Sequence, residues 1–340
     1  MRTVKVLLLI VGILALIAAL FATYALNTYK PVPVDPAWVM SSTNTPHESA
    51  LTVRYTGTST LLFSDGDTQW MIDGWFSRPG VLALAGGKIG PDLQAITEGL
   101  AANKVTALAA VIPMHSHYDH AMDSPEVARR TGAMLMGSES TANIARGWGL
   151  PENQIRVFEN RTPVRVGDFT ITPIESQHFQ FADPEVRERA LSDPKISKPL
   201  IPPVPVFGYK LGKAYVLHVS HPKGNFIVVG SAGYLEGVLQ GFDADTIFLG
   251  IGGLGSQTEP YRQGYWRETV EVSGAQRVIP IHYDSLTGPI TGPFKGPVTA
   301  MAFLSGGVEN TLTFLQGKGS ENPGLLFQTL PRYDEVMLYP

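Results

Sequence analysis

The sequence predicts a layered α/β domain, and three observations carry that expectation. Short apolar, β-branched runs recur along the chain at strand length. From about residue 91 they alternate with stretches of helical pattern, after an opening run of strands with no helix between them. Several of the apolar runs end in a polar, chemistry-bearing residue: Asp73, His115, His178 and His282.

The chain has 340 residues, 44% of them hydrophobic, enough for one large core. Net charge is −4, charged residues make up 16%, and no basic stripe is present, which argues against a nucleic-acid surface. With no cysteine, disulfides and thiolate ligands are excluded, and the redox compartment is left open. No internal repeat is visible.

Arg2 and Lys5 precede residues 6–26, twenty-one residues without a charge. At about 1.5 Å per residue such a helix spans a bilayer core of about 30 Å. No small-x-small cleavage pattern follows near residues 21–27, so the expectation for residues 1–26 is an uncleaved single-pass anchor, with a cleaved signal and secretion as the alternative. Positive residues before the span put the catalytic body on the periplasmic or extracellular side. Residues 27–48 carry Pro31, Pro33, Pro36 and Pro46 and read as an extended, unpacked linker. The body is expected over residues 49–340, starting near Ser49.

Within the body, residues 51–55, 60–63 and 69–72 read as strands, the last two flanking a Ser-Asp-Gly-Asp hairpin signal. Asp73 closes the third. Residues 91–102 read as a helix. A strand over 108–112 stops at Pro113, which has no N–H for the ladder. Ser124-Pro125 opens a helix with Ser124 as its cap. Strand 133–136, helix 140–146 and two strands within 162–174 follow. Residues 179–206, with six prolines, are too long for an ordinary connection and read as a lid-like insertion over the site. Strands are expected over 206–211, 215–219 and 226–229, with His218 and His221 flanking a solvated turn as non-ligands. A strand over 246–249, a helix over 259–273 and a strand over 277–281 complete the pattern. Gly250–Gly255 reads as a turn, since no Lys-Ser/Thr continues it into a phosphate loop.

The chemistry concentrates in Val-Ile-Pro-Met-His-Ser-His-Tyr-Asp-His, residues 111–120. Three of the chain's eight histidines fall within six positions, beside an aspartate. On extended backbone, residues two apart point the same way, so His115 and His117 can share one ion while Asp119 and His120 on the next turn reach a second. Imidazole and carboxylate are ordinary zinc ligands.

His-Ser-His-Tyr-Asp-His resembles the H-x-H-x-D-H signature of the metallo-β-lactamase superfamily. The resemblance, loose outside its motifs, covers about residues 51–285, and its branch looks like the one holding N-acylphosphatidylethanolamine phospholipase D and L-ascorbate-6-phosphate lactonase. It implies a four-layer αββα sandwich. It also implies two zinc ions, the first held by His115, His117 and His178, the second by Asp119, His120 and His282. Asp73 would support a ligand from outside the metal shell. Ser231 stands where many relatives carry a bridging aspartate, which implies a weaker second site, and Asp284 is a possible substitute ligand or support. The activity implied is hydrolysis of a phosphodiester, lactone or amide in a small molecule or lipid, with Asp119 handling the proton. A metal-binding protein without turnover is the other class, and a β-lactamase is disfavoured because the Pro-Gly-His-Thr-Pro-Gly run of many β-lactamases is absent.

Overall fold

The protein is described here from a computed structural model covering residues 2–42, 50–301 and 307–340. The expected domain start near Ser49 lies outside the described residues. Helix α1 (Arg2–Asn27) leads. The first sheet begins with the antiparallel meander β1 (Leu51–Gly57), β2 (Thr60–Ser64) and β3 (Gln69–Ile72). Helices α2 (Val81–Gly86) and α3 (Leu93–Ala102) then lead to β4 (Ala110–Ile112). The helical turn α4 (Tyr118–Ala121) and α5 (Ser124–Thr131) lead to β5 (Met134–Gly137), and α6 (Glu139–Trp148) to β6 (Ile155–Val157). Strands β3 to β6 pair in parallel through these helical crossovers, as parallel neighbours require.

The second sheet repeats the scheme. The strands β7 (Val164–Val166), β8 (Phe169–Ser176), β9 (Ala214–His221) and β10 (Gly224–Val229) are antiparallel. Helix α7 (Pro184–Leu191) lies in the connection between β8 and β9. Then β11 (Thr246–Gly250), α8 (Glu259–Trp266), β12 (Arg277–Ile281), α9 (Val308–Glu321) and β13 (Leu326–Phe327) extend the sheet in parallel, and β14 (Val336–Tyr339) crosses back to pair with β1. The two seven-stranded sheets are ordered β14-β1-β2-β3-β4-β5-β6 and β13-β12-β11-β10-β9-β8-β7.

Period-2 patterning divides the core into layers. Leu61, Phe63, Trp70 and Ile72 face the second sheet, where Phe63 stacks on Phe226 at 4.6 Å between ring centroids. Their neighbours Leu62 and Met71 face outward and pack with Ile96 of α3 and Val127 of α5. Trp266 of α8 and Phe314 of α9 meet edge to face at 6.2 Å on the second sheet's side. A sheet buried on both faces cannot show polar alternation, which is why its strands read as plain apolar runs. The result is the expected αββα sandwich.

Several local expectations need correction. The described part of the linker, residues 27–42, is packed, not loose: Trp38 stacks on Phe327 at 4.9 Å, and the Met40 N–H donates to the Thr329 carbonyl at 2.9 Å. Val32, Val34, Trp38 and Met40 bring enough apolar surface to bury against the body. Residues 206–211 form no strand; Val206–Gly208 is a 3-10 turn, and the Leu211 carbonyl accepts from Ser116 N–H at 2.9 Å instead of joining a ladder. Ser124 does not cap α5: Asp123 holds the N-cap position without a side-chain capping bond, and the Ser124 hydroxyl is drawn inward to the carbonyls of Asp73 and His120. His221 is not solvated. Its side chain is 3% exposed and contacts Asp65 at 3.3 Å, which ties the tip of the β2–β3 hairpin to β9.

Candidate metal centre

The site is built on strand ends. Asp73 follows β3, the His115–His120 segment follows β4, His178 follows β8, Ser231 follows β10 and His282 follows β12. Where neighbouring strands stop, their carboxyl ends leave a crevice in which side chains from distant sequence positions converge.

The loop after β4 is held from several sides. Met114 N–H donates to Asp73 Oδ1 at 2.9 Å, and the Ser116 hydroxyl lies 3.0 Å from Thr141 Oγ1 and 3.1 Å from Ser138 Oγ. His117 is extended (φ −62°, ψ 158°), and the turn α4 begins directly after it, so Asp119 and His120 leave on a different heading from His115 and His117.

Two donor groups result. In the first, the ligand atoms of His115, His117 and His178 lie within 4.8 Å of one another; in the second, those of Asp119, His120 and His282 do. His115 Nε2 is 3.1 Å from His117 Nδ1, and His120 Nε2 is 3.2 Å from His282 Nε2. Asp119 Oδ2 is 3.3 Å from His282 Nε2 and 3.6 Å from His120 Nε2. The rings of His115 and His120, 3.8 Å apart between centroids, join the groups. Neither Ser231 nor Asp284 belongs to either group.

Electrostatics favours the ligating forms of His115, His117, His178 and Asp119. Burial pushes His115 and His178 well below the ordinary imidazole range, and it lowers His117 to about 4, so all three are neutral at pH 7. Burial acts to raise Asp119, but His120 and His282 more than offset it, and its carboxylate stays ionised far below the usual range. His120 moves up: burial opposes its charge, and the nearby Asp73 and Asp119 outweigh burial. Facing lone pairs on neutral imidazoles, with a carboxylate beside them, form a donor set suited to divalent cations such as zinc.

The groups behind the donors are equally specific. Asp73 Oδ2 takes the Nδ1 side of His120 at 2.8 Å, leaving Nε2 facing the centre. Phe179's carbonyl, 2.8 Å from His178 Nδ1, does the same for His178. Asp73 (φ 58°) and His282 (φ 59°) both sit in the left-handed region, a costly conformation for a non-glycine residue. Tyr55 Oη receives the His282 N–H at 3.2 Å, and the Thr58 carbonyl receives it at 2.5 Å. Asp284 is turned to the Thr58 amide and lies 3.9 Å from Arg332. Ser231 Oγ accepts from Phe179 N–H at 3.3 Å.

Sequence reasoning missed three contributors. Asp123 accepts from the amides of Phe76 and Ser77 and from the Ser77 hydroxyl, fixing the chain after Asp73; burial raises it to about 6. The Ala190 carbonyl of α7 lies 3.3 Å from His117 Nε2, which brings the 179–206 insertion directly over the site. Pro33, from the segment after α1, lines the same cavity as His117 and His282. The proline spacing marked the insertion, but no local pattern signals contacts this distant in sequence.

A sequence model of the β-lactamase superfamily domain matches residues 79–192. A UPF0173 metal-dependent hydrolase from Chloroflexus aurantiacus is 32% identical over 71 residues, 21% of this chain and 29% of that relative, so the chain matches under a third of its length. Among solved structures, Igni18, a metallo hydrolase from the hyperthermophilic archaeon Ignicoccus hospitalis, aligns over 86% of this chain and 99% of its own with a TM-score of 0.51 at 14% identity. CmlA, a diiron β-hydroxylase from Streptomyces venezuelae, aligns over 87% of this chain and 55% of its own with a TM-score of 0.50 at 10% identity. At these identities the two structures speak to the fold alone. The chain therefore shares the fold of these metallo-enzymes, and its residues 79–192 match the β-lactamase superfamily domain.

Proposed function

We propose that the protein is a zinc-dependent hydrolase of a phosphodiester, lactone or amide, anchored to a membrane by α1. The observation that carries this reading is the pair of three-donor groups sharing one crevice, joined through His115 and His120. His115, His117 and His178 would hold one ion and Asp119, His120 and His282 a second, each a three-ligand set of the catalytic rather than the closed structural kind. Bound there, such ions would supply Lewis acidity and lower the pKa of water towards about 7.

The rest of the chemistry falls to the chain. Asp119, ionised and beside both histidines of its group, accepts the proton of the attacking water at Oδ2 and returns it to the leaving oxygen or nitrogen. The hydroxyl of that water ends on the carbonyl carbon or phosphorus. Asp73 and the Phe179 carbonyl fix two imidazole tautomers, so no reorientation is needed at the moment of reaction. The lid over His117 limits water entry. Support for the anchor comes from α1, whose side chains from Val4 to Tyr24 are exposed and, apart from Lys5, uncharged. Arg2 and Lys5 ahead of the span favour a body on the periplasmic or extracellular side.

Ser231 in place of an acidic residue favours one further reading, a metal-binding protein without turnover. Metal analysis of the full chain, with a screen against bis-p-nitrophenyl phosphate, lactones and a chromogenic β-lactam, separates the two. Two zinc ions with turnover of one of the first two substrates are expected. No transition metal after zinc reconstitution sinks the hydrolase, and metal without turnover favours the binder. A reporter fused after Pro340 should be active only as an exported protein.

A further inference from the structure

The cavity over the metal centre encloses about 240 Å³, and its two kinds of wall differ sharply. The polar part is the metal loop and its neighbours. Much of the remainder is hydrocarbon or aromatic: Leu84 of α2, Phe181, Val186 and Val206 of the insertion, Phe207 directly after it, and Met301. No Lys or Arg lines it among the described residues. A soluble sugar phosphate or polycarboxylate would leave its charge without a side-chain cation there, whereas an alkyl chain would find a dry, preformed wall.

The segment after α1 is built into that wall. The Thr28 carbonyl accepts from Thr299 N–H at 2.8 Å, Lys30 N–H donates to the Pro297 carbonyl at 2.8 Å, and Gly296 N–H donates to the Lys30 carbonyl at 3.1 Å. The hydroxyls of Thr28 and Thr299 lie 2.8 Å apart. A Cβ on Gly296 would stand 2.2 Å from the Pro31 carbonyl oxygen, so the contact requires glycine. Pro33, Pro297 and Met301, on the two sides of this staple, all line the cavity. The end of the apolar helix is therefore fixed beside the catalytic cavity, with no free tether between them. If α1 lies in a bilayer, the cavity is held close to that bilayer's surface.

We propose that the substrate is a single-chain amphiphile taken from the membrane that holds α1, its alkyl chain lying between the insertion and the stapled segment and its polar linkage over the metal centre. This rests on the hydrolase and anchor readings above and narrows their substrate class. The volume, just below the lower end of about 300 Å³ for small-molecule pockets, suits one chain and not two. The insertion is the element that opens to admit it, since α7 reaches the centre through the Ala190 carbonyl.

The test uses the full chain in phosphatidylcholine vesicles, loaded with zinc. A diazirine-bearing palmitate is placed in the same bilayer, and after irradiation the labelled peptides are mapped by mass spectrometry. Label is expected on the 179–206 insertion and around Met301, and about tenfold less in Val186→Asp or Phe207→Asp, each of which puts a carboxylate on the apolar wall. Zinc content should be unchanged in both variants, which distinguishes a blocked chain site from a misfolded centre. A water-soluble butanoate diazirine supplied from the buffer should label the insertion far less. Label confined to α1, or equal labelling of wild type and both variants, overturns the proposal. So does stronger labelling by the buffer-borne probe. Zinc content and turnover measured on the same vesicles test the hydrolase reading separately. A preparation without zinc that still labels the insertion would overturn the hydrolase and leave the chain site standing.

Discussion

Asp73→Asn tests whether the support behind the second donor group is what makes it a metal site. Asp73 accepts twice: from Met114 N–H at Oδ1 (2.9 Å) and from His120 Nδ1 at Oδ2 (2.8 Å). An asparagine is nearly isosteric, tolerates the left-handed φ of 58°, and keeps one acceptor. Its amide can face only one way. With oxygen towards Met114, the NH2 meets His120 Nδ1, which must then lose its proton and move it to Nε2, the atom needed for metal. With oxygen towards His120, the NH2 opposes the Met114 amide, and a fully buried N–H loses its partner at a cost of about 1–3 kcal/mol. Either arrangement degrades the loop that carries the ligands. Loss of such a supporting contact typically weakens metal binding about 10–100-fold, or about 1.4–2.8 kcal/mol. The second ion should bear most of that loss, because Asp73 bonds His120 directly and reaches the first group only through the Met114 amide. Competition against a fluorescent zinc chelator would read both steps. Second-site affinity within twofold of wild type would refute the reasoning, since His120 would then present Nε2 without help.

Three further outcomes are expected. Asp119→Asn should lower kcat about 10²–10⁴-fold with the first ion retained, while Ser231→Ala, which loses a single 3.3 Å contact from Phe179 N–H, should change kcat little; equal activity of wild type and Asp119→Asn would show the proton is handled elsewhere. Gly57→Ala places a Cβ 2.5 Å from Asp284 Oδ2 at a φ of +135°, so it should push Asp284 off the Thr58 amide and cost about 1–3 kcal/mol; a Tm within a degree of wild type in calorimetry would rule this out. In chelator-stripped protein, His117 has a folded pKa of about 4 against 6.5 unfolded, so between those values the unfolded chain binds the extra proton. The His117 contribution should therefore be full above pH 6.5 and fall by about 3 kcal/mol as pH drops to 4, with His115 and His178 acting in the same direction and Asp123, raised to about 6, acting in the opposite one; a His117 imidazole that titrates near 6.5 in an NMR pH series of the apoprotein would contradict it.

Much of the centre was legible in the sequence because its parts are local. His115, His117, Asp119 and His120 lie within six positions, and the apolar run stopped by Pro113 already says they follow a buried strand. Period and residue type also predicted the meander, most of the later strands and the apolar N-terminal helix, since each depends on neighbours within one element. The joining of His178 and His282 to those four depended on tertiary structure: β8 and β12 had to pair into the second sheet with their carboxyl ends in one crevice. Burial likewise decided which imidazoles stay neutral, because desolvation is a property of the packed environment and not of the residue. Asp73 shows the division within a single residue. Its place at the end of a strand could be read directly, but its two partners, Met114 and His120, lie 41 and 47 positions away and are chosen only when β3 and β4 lie side by side. The linker shows the opposite error. Its prolines argued for an extended, unpacked segment, yet whether such a segment floats or packs depends on the surface it meets, and here that surface comes from residues near the far end of the chain, Phe327 and Thr329.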